Sequence, residues 1–285
     1  LALAALGIAT AAPAQNGLRA VKTGAGLQEL LQVDAPAWRS APVTTVAMLP
    51  QSIIAPRVNK VGVSKLTVRA VHNQEWIAFH IEWPDPTRSD RIVVDNFGDQ
   101  VAVELPVKPG KDAPPSPMMG NPGGRVTILQ WRAAFQRDLD HGEPKVRDLY
   151  PFAHTDVYPD QVLRATDVRP YLGAIGLDNP ISHPNRTPVL DQMAEGWGTM
   201  TVKPVQRAEG RGSWSRGRWQ VVIAYPLAAG GDSDPRLKPG SETVAAFAVW
   251  EGEAREVGSR KAWSNWIPLR IERTANVHET GKQQG

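Results

Sequence analysis

Met119 lies in the run Pro117-Met118-Met119-Gly120-Asn121, and Lys261 lies in Ser259-Arg260-Lys261-Ala262-Trp263-Ser264. A thioether sulfur and a neutral amine are two donors able to fill the two axial positions of a haem iron. Methionine ordinarily fills gaps in a core, and a proline-rich loop has little core to fill. Lysine ligates only as the free amine; its reference pKa is about 10.4, so iron must displace a proton, and burial helps. Taken singly, each residue reads more simply as ordinary packing or surface. Taken together, in a chain without cysteine, they suggest a b-type haem held by coordination and packing alone.

Other chemistries find less support. The histidines are His72, His80, His141, His154, His183 and His278. None pair at helical ligand spacing, and each reads as a surface histidine; His80 and Glu82, two apart in an expected strand, are a weak metal signal. No Gly-x-Ser-x-Gly elbow occurs. Gly120-Asn121-Pro122-Gly123-Gly124 lacks the pattern that dinucleotide binding needs, and Gly210-Arg211-Gly212 is only a partial phosphate-loop match. Asp85 and Asp90 read as solvated loop carboxylates. The absence of cysteine excludes thiolate-held clusters, disulfides and thioether-linked haem.

A formal charge of +3, with basic and acidic residues interspersed, excludes a phosphate-tracking stripe, so nucleic acid is not an expected partner. The ten tryptophans outnumber both tyrosine and phenylalanine. Most are expected in the core, with some left for a cofactor pocket. Residues 1–14 are apolar and end in Ala12-Pro13-Ala14. They read as the remnant of a secretory signal peptide, which implies an exported, periplasmic protein with no membrane span.

The elements expected to position Met119 and Lys261 are strands. With 25 proline and 25 glycine residues the chain is punctuated often. A helical turn is expected in 27–42, and strands at 43–49, 63–72, 75–83, 99–106, 125–132, 196–204, 217–225, 242–251 and 262–272. Residues 133–140 add a helical turn or two. In 75–83, Ile77, Phe79, Ile81 and Trp83 fall on one face and Trp76, Ala78, His80 and Glu82 on the other. In 244–250 both faces are apolar, as in a central strand covered on both sides. Residues 141–195 show little periodicity, which suggests extended segments that wrap a sheet. The pattern predicts a mainly β chain: an antiparallel β-sandwich with long loops and a few short helices, one domain over 20–275, and a flexible polar tail at 276–285.

Several stretches occur in the order found in one family. They are Asp34–Trp38, Ala78–Trp83, Asp99–Pro106, Met119-Gly120 with Val126–Arg132, Asp156–Asp160, Ala194–Thr201, Trp219–Val222 with Pro226-Leu227, Val244–Trp250 and Arg260–Trp266. On these the chain resembles the haem b-binding gamma subunits of the type II dimethyl sulfoxide reductase family, which serve ethylbenzene dehydrogenase, dimethyl sulfide dehydrogenase, selenate reductase and chlorate reductase. The resemblance implies a β-sandwich binding one haem b through a methionine and a lysine. By motif match these are Met119 and Lys261, with Met118 the adjacent alternative. It further implies a non-catalytic electron-transfer subunit. The partners would be a molybdenum-containing alpha subunit, an iron–sulfur beta subunit and a soluble periplasmic cytochrome. Trp250, Trp263 and Trp266 are expected to line the haem slot. The alternative reading is a haem-free β-sandwich module that binds carbohydrate or another small ligand on exposed tryptophan.

Overall fold

Period-two alternation dictates the architecture. In the computed structural model, which describes residues 17–108, 113–144, 146–152 and 186–273, the chain forms β1 (Leu18–Lys22), α1 (Leu27–Leu30), α2 (Ala37–Ser40), β2 (Thr44–Ala47), β3 (Leu49–Pro50), β4 (Lys65–His72), β5 (Trp76–Pro84), β6 (Gln100–Pro106), β7 (Val126–Arg132), α3 (Ala133–His141), α4 (Val146–Leu149), β8 (Val189–Ala194), β9 (Thr201–Val202), β10 (Glu209–Trp214), β11 (Arg218–Pro226), β12 (Glu242–Trp250), β13 (Ala262–Trp263) and β14 (Ile267–Ile271). The expected signal remnant at 1–14, the segment Asp156–Asp160, the histidines 154, 183 and 278, and the tail at 276–285 lie outside the described residues. Among the described residues no helix is long and apolar enough to cross a membrane.

The strands hydrogen-bond in the order β10-β11-β5-β4-β1-β14-β12-β6-β7-β8-β9. β12 is the seam. Its first half, Glu242–Ala245, pairs with β14, and its second half, Ala246–Trp250, pairs with β6 and in part with β13. The two halves of the sheet fold face to face on a shared core. Phe79 of β5 meets Phe247 of β12 edge to face at 6.4 Å. Trp131 of β7 packs 6.5 Å from Trp83 of β5 and 4.9 Å from Trp219 of β11. Ile77, Phe79, Ile81 and Trp83 all belong to this core, on the face that alternation gave them.

The sandwich is mixed rather than wholly antiparallel, because β1 runs parallel to both β14 and β4. Partners this far apart in sequence leave no turn signature, which is why β1 escapes a local reading. The strand expected at 196–204 is displaced: pairing occurs at β8 and resumes only at β9, with a loop between them. β8 hides its period because Asp191 and Gln192 are buried alongside its apolar residues. β10 was also not expected. Its glycines are there for space, not for phosphate. A Cβ on Gly212 would run into the Trp131 ring, and one on Gly210 into Val189 and the Val222 carbonyl.

The outer face of β4, β5 and β11 is covered by α1 and α2. Leu30 and Trp38 pack there against Val71, Ala78, Val222 and Ala224. His80 therefore lies beneath Trp38, ring centroids 5.2 Å apart, and is buried rather than on the surface. Burial pulls its pKa down, with Glu82 pulling the other way. His72 is likewise buried. Asp85 is not a solvated carboxylate: its side chain accepts from the Thr87 N–H and hydroxyl, and burial raises its pKa.

Candidate functional site

On the other half of the sheet no helix among the described residues fills the outer face. Alternation sends Val101, Val103, Leu105, Leu129, Trp131 and Val249 into the core. It sends Gln100, Ala102 and Glu104 of β6, Ile128, Gln130 and Arg132 of β7, and Ala246, Ala248 and Trp250 of β12 outward. These outward residues line a cavity of about 760 Å³, within the usual size range for small-molecule and cofactor sites. One face of β12 packs into the core, and the other, also expected to be covered, lines this cavity. Alanines at 102, 246 and 248 keep its floor low. Phe97, Trp197, Trp250 and Trp263 supply aromatic walls.

Met118, Met119 and Lys261 all line this cavity, so the residues singled out from sequence are brought together. Met119 packs against the cluster of Ala102, Val126, Ile128, Ala194 and Trp250. Its backbone is left-handed, φ +69°, followed by Gly120 at φ +74°. For a residue with a long side chain this is a strained conformation, held by its neighbours. The Gly120 N–H donates to the Ser116 carbonyl at 2.9 Å, and the Gly196 N–H donates to the Met119 carbonyl at 2.7 Å. The Ser116 N–H donates to Asn121 Oδ1 at 2.9 Å, closing the loop on itself.

The lysine segment is anchored separately. β13 pairs with β12 on one side and β3 on the other. Gln51 N–H donates to the Lys261 carbonyl at 3.0 Å, and Gln51 Nε2 donates to the Ser259 carbonyl at 3.0 Å. The Trp250 indole donates to the Gly258 carbonyl at 3.0 Å. Lys261 Nζ sits 5.1 Å from the centre of the Trp250 ring, a cation–π distance.

Glu104 joins the two. Burial pushes its carboxyl up to about 8, against the opposing pull of Lys261 and of a hydrogen bond from the Met119 backbone. Burial likewise lowers the Lys261 pKa, opposed by Glu104. Glu104 Oε1 has no hydrogen-bond partner among the described residues. The site thus holds a thioether, an amine whose proton is loosened by desolvation, and a carboxyl between them. Among the described residues no cluster of three His, Asp or Glu could hold a bare metal ion.

Of the tryptophans expected around a haem, Trp250 and Trp263 line the cavity. Trp266 does not; it packs behind Met119's cluster and donates its indole N–H to the Pro115 carbonyl. Sequence reasoning did not single out Glu104, Arg132, Gln100 and Gln130, which lie in the runs 99–106 and 125–132 read only as strands. It also missed Trp197 and Met200, which reach the cavity from the β8–β9 loop. The available signal was Gln100 and Glu104 alternating with the apolar Val101, Val103 and Leu105.

The family profile described as ethylbenzene dehydrogenase matches residues 35–162. The chlorate reductase gamma subunit of Ideonella dechloratans is 25% identical over 263 residues, covering 90% of this chain and 86% of that protein. Over residues 35–162, less than half of its length, the chain is similar to the ethylbenzene dehydrogenase family. A Haloferax mediterranei protein named as a respiratory nitrate reductase heme subunit is 24% identical over 232 residues, 81% of this chain but only 64% of that protein's length. The ethylbenzene dehydrogenase match spans Glu104, Met119 and Arg132 and stops short of Lys261. A family 9 carbohydrate-binding module from Caldicellulosiruptor kristjanssonii overlays at a TM-score of 0.41 with 9% identity, covering 92% of this chain and 99% of that one; that likeness is too slight to carry a ligand across.

Proposed function

We propose that this chain is an electron-transfer subunit that carries one non-covalent haem b with Met119 and Lys261 as axial ligands. It works within an exported, periplasmic complex. A molybdenum-containing alpha subunit and an iron–sulfur beta subunit lie on one side of the electron path and a soluble cytochrome on the other. The chain itself is non-catalytic. The observation that carries the reading is that Met119 and Lys261, remote in sequence, line one aromatic-walled cavity. Sequence kinship with a gamma subunit and a heme subunit supports it.

When bound, a haem with both axial positions filled supplies a one-electron couple and leaves no open site for substrate. The protein's contributions follow from its own residues. The alanine floor lets a flat ligand lie on the sheet, and the tryptophan walls keep water away. The thioether is a soft donor that favours the ferrous state and raises the potential. Desolvation of Lys261 makes its neutral amine easier to reach. The αL turn fixes the backbone at Met119, so that backbone needs no further ordering on binding. With no cysteine in the chain, retention depends on these contacts.

The test is a reduced-minus-oxidised visible spectrum of the purified chain with a pyridine haemochrome assay, repeated for Met118→Ala, Met119→Ala and Lys261→Ala. A six-coordinate b-type spectrum, altered by the Met119 and Lys261 changes and kept in Met118→Ala, is the expected result. A protein that forms no Soret complex, or whose spectrum ignores both Met119 and Lys261, overturns the assignment.

A further inference from the structure

Arg132 closes β7 at one end of the cavity. Its guanidinium has no carboxylate partner among the described residues. One Nη donates to Gln130 Oε1 at 3.2 Å, the group lies 5.2 Å from the centre of the Phe135 ring, and the buried Nε has no partner. Arg69 and Arg125, also partly buried, are paired with Glu82 and Glu195. A desolvated cation without a counter-ion is costly. Burial accordingly lowers the Arg132 pKa, with no compensating acid.

Gln130 does not neutralise it, because its amide is uncharged and its Oε1 is shared with Gln192 Nε2 at 2.8 Å. Gln100 stands directly across from Arg132 in the β6–β7 register. Its own Nε2 makes only a 3.3 Å bond to the Gly98 carbonyl, and it too lines the cavity. A planar guanidinium with free N–H groups and an adjacent amide donor is the pattern that grips a carboxylate in two places.

We propose that Arg132 and Gln100 form a carboxylate subsite inside the cavity, and that it takes a propionate of the haem. The inference rests on the haem reading and deepens it, because it fixes which edge of the porphyrin enters where. Glu104 is four residues from Gln100 along β6, about 13 Å at strand rise. The anionic edge therefore lies at the Arg132 end, away from Glu104 and from the Met119 backbone that bonds it.

Titrate the full-length apo chain with haemin and with haemin dimethyl ester, whose propionates are uncharged, and follow the Soret band for wild type, Arg132→Gln and Arg132→Lys. Wild type should prefer haemin to the ester. Arg132→Gln should weaken haemin binding roughly ten- to a hundred-fold, leave the ester unchanged, and erase the preference; Arg132→Lys should restore part of it. Urea unfolding of each apo variant checks that the fold is intact. Equal binding of haemin and ester by wild type overturns the subsite while leaving the haem reading standing, as does a loss in Arg132→Gln that is the same for both ligands. Absence of any Soret complex in wild type removes the haem reading and the subsite with it.

Discussion

The Trp266 indole N–H donates to the Pro115 carbonyl at 2.5 Å, tying the loop that carries Met119 to the strand segment that carries Lys261. Each loop has its own internal bonds, but this contact fixes one relative to the other. Trp266→Phe keeps most of the ring and removes the donor. We expect the apo protein to lose about 1 kcal/mol in urea unfolding, the usual worth of one such bond, and haem affinity to fall roughly five- to ten-fold because the loop must be reordered on binding. A Soret titration indistinguishable from wild type would show that the two loops hold their spacing without it.

The Met119 turn offers a matched pair of glycines. At Gly120, φ +74°, an added Cβ would land against the Gly124 carbonyl oxygen and 3.2 Å from the Ala194 carbonyl; at Gly123, φ +77°, it would meet nothing within 4 Å. Gly123→Ala should therefore cost only the left-handed penalty, about 1–2 kcal/mol. Gly120→Ala adds a clash with two backbone segments and should cost more, with haem retention falling in step because Met119 is displaced. Equal losses in the two variants, read by chemical denaturation, would mean that the turn relaxes freely.

The fold was legible where one face of a strand is wholly apolar. Ile77 to Trp83 and the runs at 99–106, 125–132 and 242–251 could be placed because burial and alternation agree there. It was illegible where the partner is remote or the buried residues are polar: β1 pairs in parallel with distant strands, and β8 buries Asp191 and Gln192. His80 and Asp85 looked solvent-facing because nothing local announces that Trp38 and the β10–β11 hairpin cover them. Within the site, Met119 and Lys261 stood out through their flanking residues and the family resemblance. Glu104, Gln100 and Arg132 did not, since a polar residue at alternate strand positions reads the same whether it faces water or a cavity.

Asp99 supplies a pH dependence. It is fully buried, accepts from the Ser89 N–H at 2.8 Å, the Trp219 indole at 2.9 Å and the Gly252 N–H at 2.9 Å, and still has its pKa pushed up to about 7 by burial and by Asp85. A carboxyl raised on folding binds more protons in the native state than in the unfolded one. Its stabilisation is complete below the unfolded value of 3.8 and is lost as pH rises towards about 7. The stability of wild-type apo protein relative to Asp99→Asn should therefore decline between about pH 4 and pH 7 and level off above, in urea unfolding across that range. A difference that grows with pH would reverse the sign and the argument.

The β8–β9 loop, which brings Trp197 and Met200 to the cavity, is held at its base by a buried charge cluster. Lys203 Nζ lies 2.8 Å from Asp191 Oδ1 and 2.9 Å from Asp234 Oδ1, and it donates to Thr127 Oγ1 at 3.1 Å. Burial tends to raise the Asp234 pKa, but hydrogen bonds from Tyr225, Lys203 and the Gly231 N–H outweigh it and hold the carboxyl down to about 2. Asp191 is raised by burial, and Lys203 is the main cation opposing that shift. Lys203→Met should therefore destabilise the protein by about 3–5 kcal/mol, chiefly by leaving Asp191 charged and unpaired. Adding Asp191→Asn should restore part of that loss, because Asp234 keeps Arg207 at 3.2 Å while the orphaned charge is gone. In the single variant the loop base is released, so the emission of Trp197, already 51% exposed, should shift towards that of free tryptophan, measured against a Trp197→Phe background. Unfolding midpoints that fail to recover in the double variant would assign the loss to packing of the lysine stem rather than to charge.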